Sequence, residues 1–287
     1  MSFHQPTTIL KAGIDTGIYK TRLPAWNLLL RGAMSGAYIG MGAALMVVVT
    51  SGIELTLGPG LTHLIGGVVF PLGVILTILT GTELFTGDAM LAPMAAFRHR
   101  ISWLVVGRLW ILVWVGNLAG ALFYAALMTF GPLTSVDSAG VASVTSVGVA
   151  TVSLASVKCG YVGSGALLSL LGSSLAAGWL LNLAVLLSLC ADDAIGKIMG
   201  IWFPVMAMTA TGLEHAVTNM YLIPAGILTA SRLSPLQVAD VGPIIVNLGW
   251  VEMWTTNIIV ASIGNLLGGM IFAGLLYYTA FKKESEQ

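Results

Sequence analysis

T-G-L-E-H-A-V-T-N-M-Y-L-I-P, residues 211–224, sets a carboxylate, Glu214, beside an imidazole, His215, in the middle of an apolar run. The chain around it has 287 residues, 57% of them hydrophobic and 8% charged, with a mean hydropathy of +0.93. A soluble domain carries about a quarter charged residues, so this is a membrane composition. An ionisable side chain inside a spanning segment is costly there and marks a functional site.

A second interruption, T-G-T-E-L-F-T-G-D at residues 80–88, lies inside an apolar run from 62 to 97. That run is longer than the roughly 20 residues one span requires. Both stretches predict two half-helices joined by irregular backbone, which a membrane tolerates only where protein or a water-lined cavity satisfies the freed backbone groups. Apolar runs predict six segments in all, near 28–50, 62–97, 102–130, 160–191, 195–230 and 251–281. In the first, G-A-M-S-G-A-Y-I-G-M-G repeats small residues at three- and four-residue spacing, so one face can pack very closely.

Residues 1–27 read as a cytoplasmic lead-in with a short interfacial helix before Pro24, residues 28–281 as the membrane domain and residues 282–287 as a cytoplasmic tail. The first 25 residues lack the apolar core of a cleavable signal peptide. Loops are expected around Glu54, Gly58 and Pro59, over 131–157, where Asp137 is the only charge, and over 231–248. Six segments put both termini on one side. Ten of the twelve Lys and Arg fall on that side, against Lys158 and Arg232 on the other, which makes it the cytoplasmic side.

The two breaks repeat one pattern. Phe70-Pro71 precedes T-G-T-E as Phe203-Pro204 precedes T-G-L-E, and G-N-L-A-G-A at 116–121 matches G-N-L-L-G-G at 264–269. Three segments per half invert one half relative to the other and place a pathway at their interface. The fold class is therefore all-α and polytopic, with six transmembrane helices in an inverted 3+3 repeat. Only the second half has a His beside its Glu.

Twelve basic residues against twelve acidic ones leave no excess for nucleic acid. Cys159 and Cys190 have no metal or redox spacing, and no metal or other cofactor is expected. His4, His63 and His99 lie at or beyond segment ends, which leaves no second axial haem ligand and sets an enzyme subunit aside. An aquaporin would carry paired N-P-A motifs at its breaks, and none is present.

E-L-F-T at 83–86, G-x-E-H-x-x-x-N-M at 212–220 and the two G-N-x-x-G motifs together resemble the formate/nitrite transporter family, which includes hydrosulfide channels. The resemblance runs from Gly17 to Tyr278. It implies an aquaporin-like protomer, a homopentamer with a narrow pore in each protomer, and the plasma membrane of a prokaryote. The implied cargo is a small monovalent anion with protons: formate first, nitrite or hydrosulfide as alternatives. Apart from the resemblance, six segments and two breaks would also suit an aquaporin-like neutral-solute pore, the other class of reading.

Residue by residue, the resemblance makes His215 the central proton donor or relay and Thr86 the threonine of the facing break. Leu84 and Phe85 precede that threonine, and of the two apolar constrictions that flank the histidine, Phe70 and Val74 form one and Met208 lies at the other. Met208 stands where relatives often have phenylalanine. Asn182, Asn219 and Asn265 match family asparagines, and Lys158 the lysine near the outer end of the fourth span, where it would enrich anions. Glu83, Glu214, Asn117 and Asn265 read as structural at the breaks, with the acids satisfying released N–H groups. The plainer alternatives are that Phe70 and Phe85 are core aromatics and that His215 bonds Glu214 or a backbone carbonyl and locks its break.

Overall fold

Each long apolar run folds as helix. The computed structural model describes residues 3–136, 138, 140 and 142–286, so Asp137 lies outside the described residues. A first helix, α1 (Pro6–Thr21), precedes α2 (Ala25–Thr50). Next come α3 (Glu54–Val69), α4 (Leu72–Leu79), α5 (Phe85–Phe97) and α6 (Trp103–Phe130). A hairpin of β1 (Thr134–Val136) and β2 (Ala142–Val144) leads into α7 (Ser146–Lys158) and α8 (Ser164–Ser188). The chain ends with α9 (Ala194–Ala210), α10 (Ala216–Ala230), α11 (Pro235–Val241) and α12 (Trp250–Phe281).

Among the described residues, five helices are long and apolar enough to cross a membrane: α2, the α3–α4 pair as Glu54–Leu79, α6, α8 and α12. The shorter α9 and α10 make up the remaining broken segment. Gly81 and Gly212 terminate α4 and α9 at φ +71° and +72°, a left-handed conformation that only glycine adopts without steric cost.

Both termini lie on one face. His4 bonds Asp192 at 2.6 Å and Arg98 donates to Ser285 at 3.1 Å, which brings the chain ends to the turns at 98–102 and 189–193. The lead-in is a packed helix there: Ile9, Leu10 and Ile14 bury against Met90, Leu91, Met94, Val185 and Leu186.

Three expected loops are more ordered than their composition suggests. The stretch around Glu54 and Pro59 is helical, broken only at Gly58, whose φ is +74°. The 231–248 connection holds α11, closed by a Ser234–Gln237 capping box. The 131–157 connection holds the hairpin and α7. Thr145 caps α7 by accepting from the N–H of Gly148 at 3.1 Å. Thr151 and Ser156 return their hydroxyls to carbonyls four residues back, each at 2.8 Å. Those internal bonds let a Ser- and Thr-rich helix pack without leaving polar groups unpaired.

Small residues set the helix spacing, as the first segment's pattern predicts. A Cβ on Gly36 would lie 2.0 Å from the Asn117 carbonyl oxygen, and one on Gly120 would lie 1.7 Å from that of Ala33. Gly36→Val is therefore expected to drive α2 off α6 at a cost of about 3 kcal/mol or more. Thermal unfolding in detergent checks this. Gly107→Val, on the same α6 with nothing within 4 Å of its would-be Cβ, should leave the melting temperature unchanged.

Candidate functional site

The half-helices α5 and α10 both start from extended residues at the breaks, Leu84 at φ −117°, ψ 120° and His215 at φ −110°, ψ 116°. Their N-termini, with the partial positive charge of unpaired N–H groups, bring Thr86 and His215 together. Thr86 Oγ1 lies 2.9 Å from His215 Nε2, and both residues are buried. The other ring nitrogen caps α10: the N–H of Thr218 donates to Nδ1 at 3.3 Å, with Thr218 Oγ1 at 2.8 Å. An Nδ1 that accepts from a backbone N–H carries no proton, which places the ring proton on Nε2, facing Thr86. The imidazole is thus locked by Thr218, not by Glu214.

Asparagines rather than acids satisfy the broken backbone. Asn117 Oδ1 accepts from the N–H of Phe85 at 2.9 Å, while its Nδ2 donates to the carbonyls of Gly32 and Glu83, each at 2.9 Å. Asn265 makes the corresponding set: the N–H of Ala216 to Oδ1 at 2.8 Å, and Nδ2 to Ser174 and Glu214 carbonyls at 2.7 and 2.9 Å. Close approach makes these staples possible, since a Cβ on Gly178 would lie 2.2 Å from the Asn265 carbonyl oxygen.

The acids expected to do that work hold cations instead. Glu214 Oε1 pairs with Lys158 Nζ at 2.5 Å and accepts from Tyr161 at 3.1 Å; Oε2 accepts from Asn219 at 2.6 Å. Lys158 sits at the end of α7 rather than in the fourth span, and its side chain is only 15% exposed. It is therefore a buried counter-ion and not a free charge at an outer mouth. At the other break, Lys20 of α1 reaches Glu83 and Asp88, each at 2.6 Å, with Arg31 3.6 Å from Glu83. Burial works against the charge of Lys20, but the two carboxylates outweigh it and hold the amine above its ordinary range.

The remaining candidates divide. Phe70, Val74, Leu84 and Met208 share one buried apolar cluster. Phe85 belongs to another, against Leu28, Val106, Leu109 and Val113, so it packs as a core aromatic. Asn182 Nδ2 donates to the Thr86 carbonyl at 2.8 Å, and its Oδ1 is buried with no partner among the described residues. Asn219 bridges Glu214 and Asn257.

Over residues 7–279 the sequence matches the family model described as "Formate/nitrite transporter". The chain belongs to the formate/nitrite transporter family. It is 38% identical over 284 residues to the "Uncharacterized transporter YrhG" of Bacillus subtilis, covering 99% of this chain and 96% of that one. It is 34% identical over 298 residues to the "Probable formate transporter" of Methanothermobacter thermautotrophicus, covering 99% of each. Its fold is similar to a solved "Pentameric formate channel with formate bound", with a TM-score of 0.75 and 26% identity over 90% of this chain and 98% of that one. The aquaporin-like, polytopic α-fold and the membrane location follow, and the family is one of transporters rather than enzymes.

Lys20, Arg31, Asp88, Tyr161, Thr218 and Asn257 join the site without having been singled out from sequence. Asp88 had a usable signal: it is a second acid in an apolar run, five residues after Glu83 as Asn219 is five after Glu214. Lys20 had none, because its partners lie 63 and 68 positions away.

Proposed function

We propose that this transporter carries formate across a prokaryotic plasma membrane, through a narrow pore in each protomer of a homopentamer, with His215 as proton relay. The observation that carries the reading is the His215–Thr86 contact between two facing half-helix N-termini. The names of the relatives support formate and the pentamer. Nitrite and hydrosulfide, also anions of weak acids, fit the same chemistry. The face with both termini and most Lys and Arg is the cytoplasmic one.

An anion entering the apolar cluster of Phe70, Val74, Leu84 and Met208 would lose hydration worth several kcal/mol. Protonation removes that cost. His215 Nε2–H donates to Thr86 Oγ1, which frees the Thr86 hydroxyl proton for an arriving formate oxygen. The proton passes from Thr86 to formate and from Nε2 to Thr86 as a proton from the aqueous phase replaces it on Nε2, so that Nδ1 keeps its bond from the Thr218 N–H. The ring begins and ends neutral, and formic acid crosses as a neutral molecule. Asn182 Oδ1, which has no partner among the described residues, offers an acceptor for the acid's hydroxyl.

His215→Asn keeps an oxygen to cap α10 but has no second ring nitrogen. Gradient-stimulated formate uptake into proteoliposomes is expected to fall by about two orders of magnitude. Uptake with unchanged rate and pH dependence would sink the relay.

A further inference from the structure

The last membrane helix is not a plain α-helix. Its ladder widens to the π pattern at Met253–Ile258 and again at Gly268–Leu275, and such bulges occur frequently at functional sites. The first bulge holds Asn257, which is fully buried. Its Nδ2 donates to the Lys158 carbonyl at 2.9 Å, and its Oδ1 accepts from Asn219 at 2.8 Å. Glu214 Oε2 lies 3.5 Å from the same Nδ2. One amide therefore touches every member of the Lys158–Glu214–Asn219 cluster. Asn257 stands eight residues before Asn265, whereas Leu109 stands eight before Asn117. Of these two positions, the amide occurs only at the break that carries the histidine.

We infer that Asn257 is a positioning residue for anion transfer: it holds Asn219 and the end of α7 so that Lys158 stays opposite Glu214, one residue from His215. The inference rests on the transport reading above. Asn219 has two amide hydrogens, one on Glu214 and one on Asn257, and loss of the second lets it rotate away from the carboxylate. The Lys158 carbonyl would lose its side-chain donor at the same time. The charged and titratable groups around Asn257 are Lys158, Cys159 and Tyr161 from the end of α7, Glu214 and His215 from the break, and Glu252 on its own helix, which faces Cys159. Lys158 and Glu214 cancel, so the imidazole sits beside a neutral pair. A carboxylate at position 257 would leave a net negative charge and favour positive charge nearby.

Formate uptake by the full-length protein in proteoliposomes is measured against external pH for wild type, Asn257→Asp and Asn257→Ser, with melting in detergent read alongside. The Asp variant is nearly isosteric; its half-maximal uptake should move to higher pH by about one unit. The Ser variant removes all three amide contacts without adding charge and should lower maximal uptake about tenfold. If the Asp variant does not assemble, the Ser variant carries the test. Wild-type rates in the variants, or a lower rate in Asn257→Asp with an unshifted pH midpoint, as simple loss of packing gives, would overturn the inference. Absence of formate uptake by wild type would instead overturn the transport reading itself.

Discussion

Asn265→Leu is expected to remove most correctly folded protein from the membrane. The substitution preserves size but strands three buried groups at once: the N–H of Ala216 and the carbonyls of Ser174 and Glu214. Each buried polar group left without a partner costs about 1–3 kcal/mol, so the sum is roughly 3–9 kcal/mol. That range reaches the whole stability of an ordinary domain, about 5–15 kcal/mol. The damage also reaches the site, because the Ala216 N–H opens the helix that His215 caps. Asn265→Asp keeps the acceptor for Ala216 while losing both donors, and should fall between the leucine variant and wild type. Size-exclusion chromatography and melting in detergent measure the ranking. A monodisperse Asn265→Leu protein with wild-type melting would show that the amide does not hold the break.

Lys158→Met should be nearly as damaging, for an electrostatic reason. Glu214 is only 2% exposed and has this one cation at its Oε1, and removing one partner of a buried ion pair costs about 3–5 kcal/mol. Tyr161 and Asn219 still donate to the carboxylate, which places the expected loss toward the lower end. The diagnostic result is the double variant. Lys158→Met with Glu214→Gln removes the stranded charge and should melt closer to wild type than the single variant does. A double variant at least as unstable as Lys158→Met would mean that packing by the lysine stem, rather than its charge, stabilises the end of α7.

These two sites also show what the sequence made legible. The breaks are legible because their signals are local: a Thr-Gly pair followed by an acid or an acid–imidazole pair in runs otherwise apolar. The G-N motifs marked Asn117 and Asn265, and the structure assigns them the backbone groups that the acids were expected to satisfy. The resemblance points to Lys158 but puts it at an outer mouth. Its partner is set by α7, which was invisible because a helix of Ser, Val, Gly and Thr has neither charge periodicity nor an apolar stripe. Lys20 and Asp88 meet across 68 positions, a contact that only the docking of α1 onto α5 creates. The resemblance pairs Phe85 with Leu84, yet consecutive residues at a helix start point in different directions, and Phe85 turns toward α6, in line with the core-aromatic alternative. Asn257 was hidden by a π bulge, which changes which face of α12 a residue presents.

The most direct test of the central claim is uptake of formate, nitrite, hydrosulfide and glycerol in parallel into proteoliposomes, with and without an inward proton gradient, by wild type and His215→Asn. The account predicts saturable formate uptake that the gradient stimulates and that the His215→Asn variant loses. Glycerol flux without flux of any of the three anions, or formate flux indifferent to both the gradient and the histidine, would contradict it.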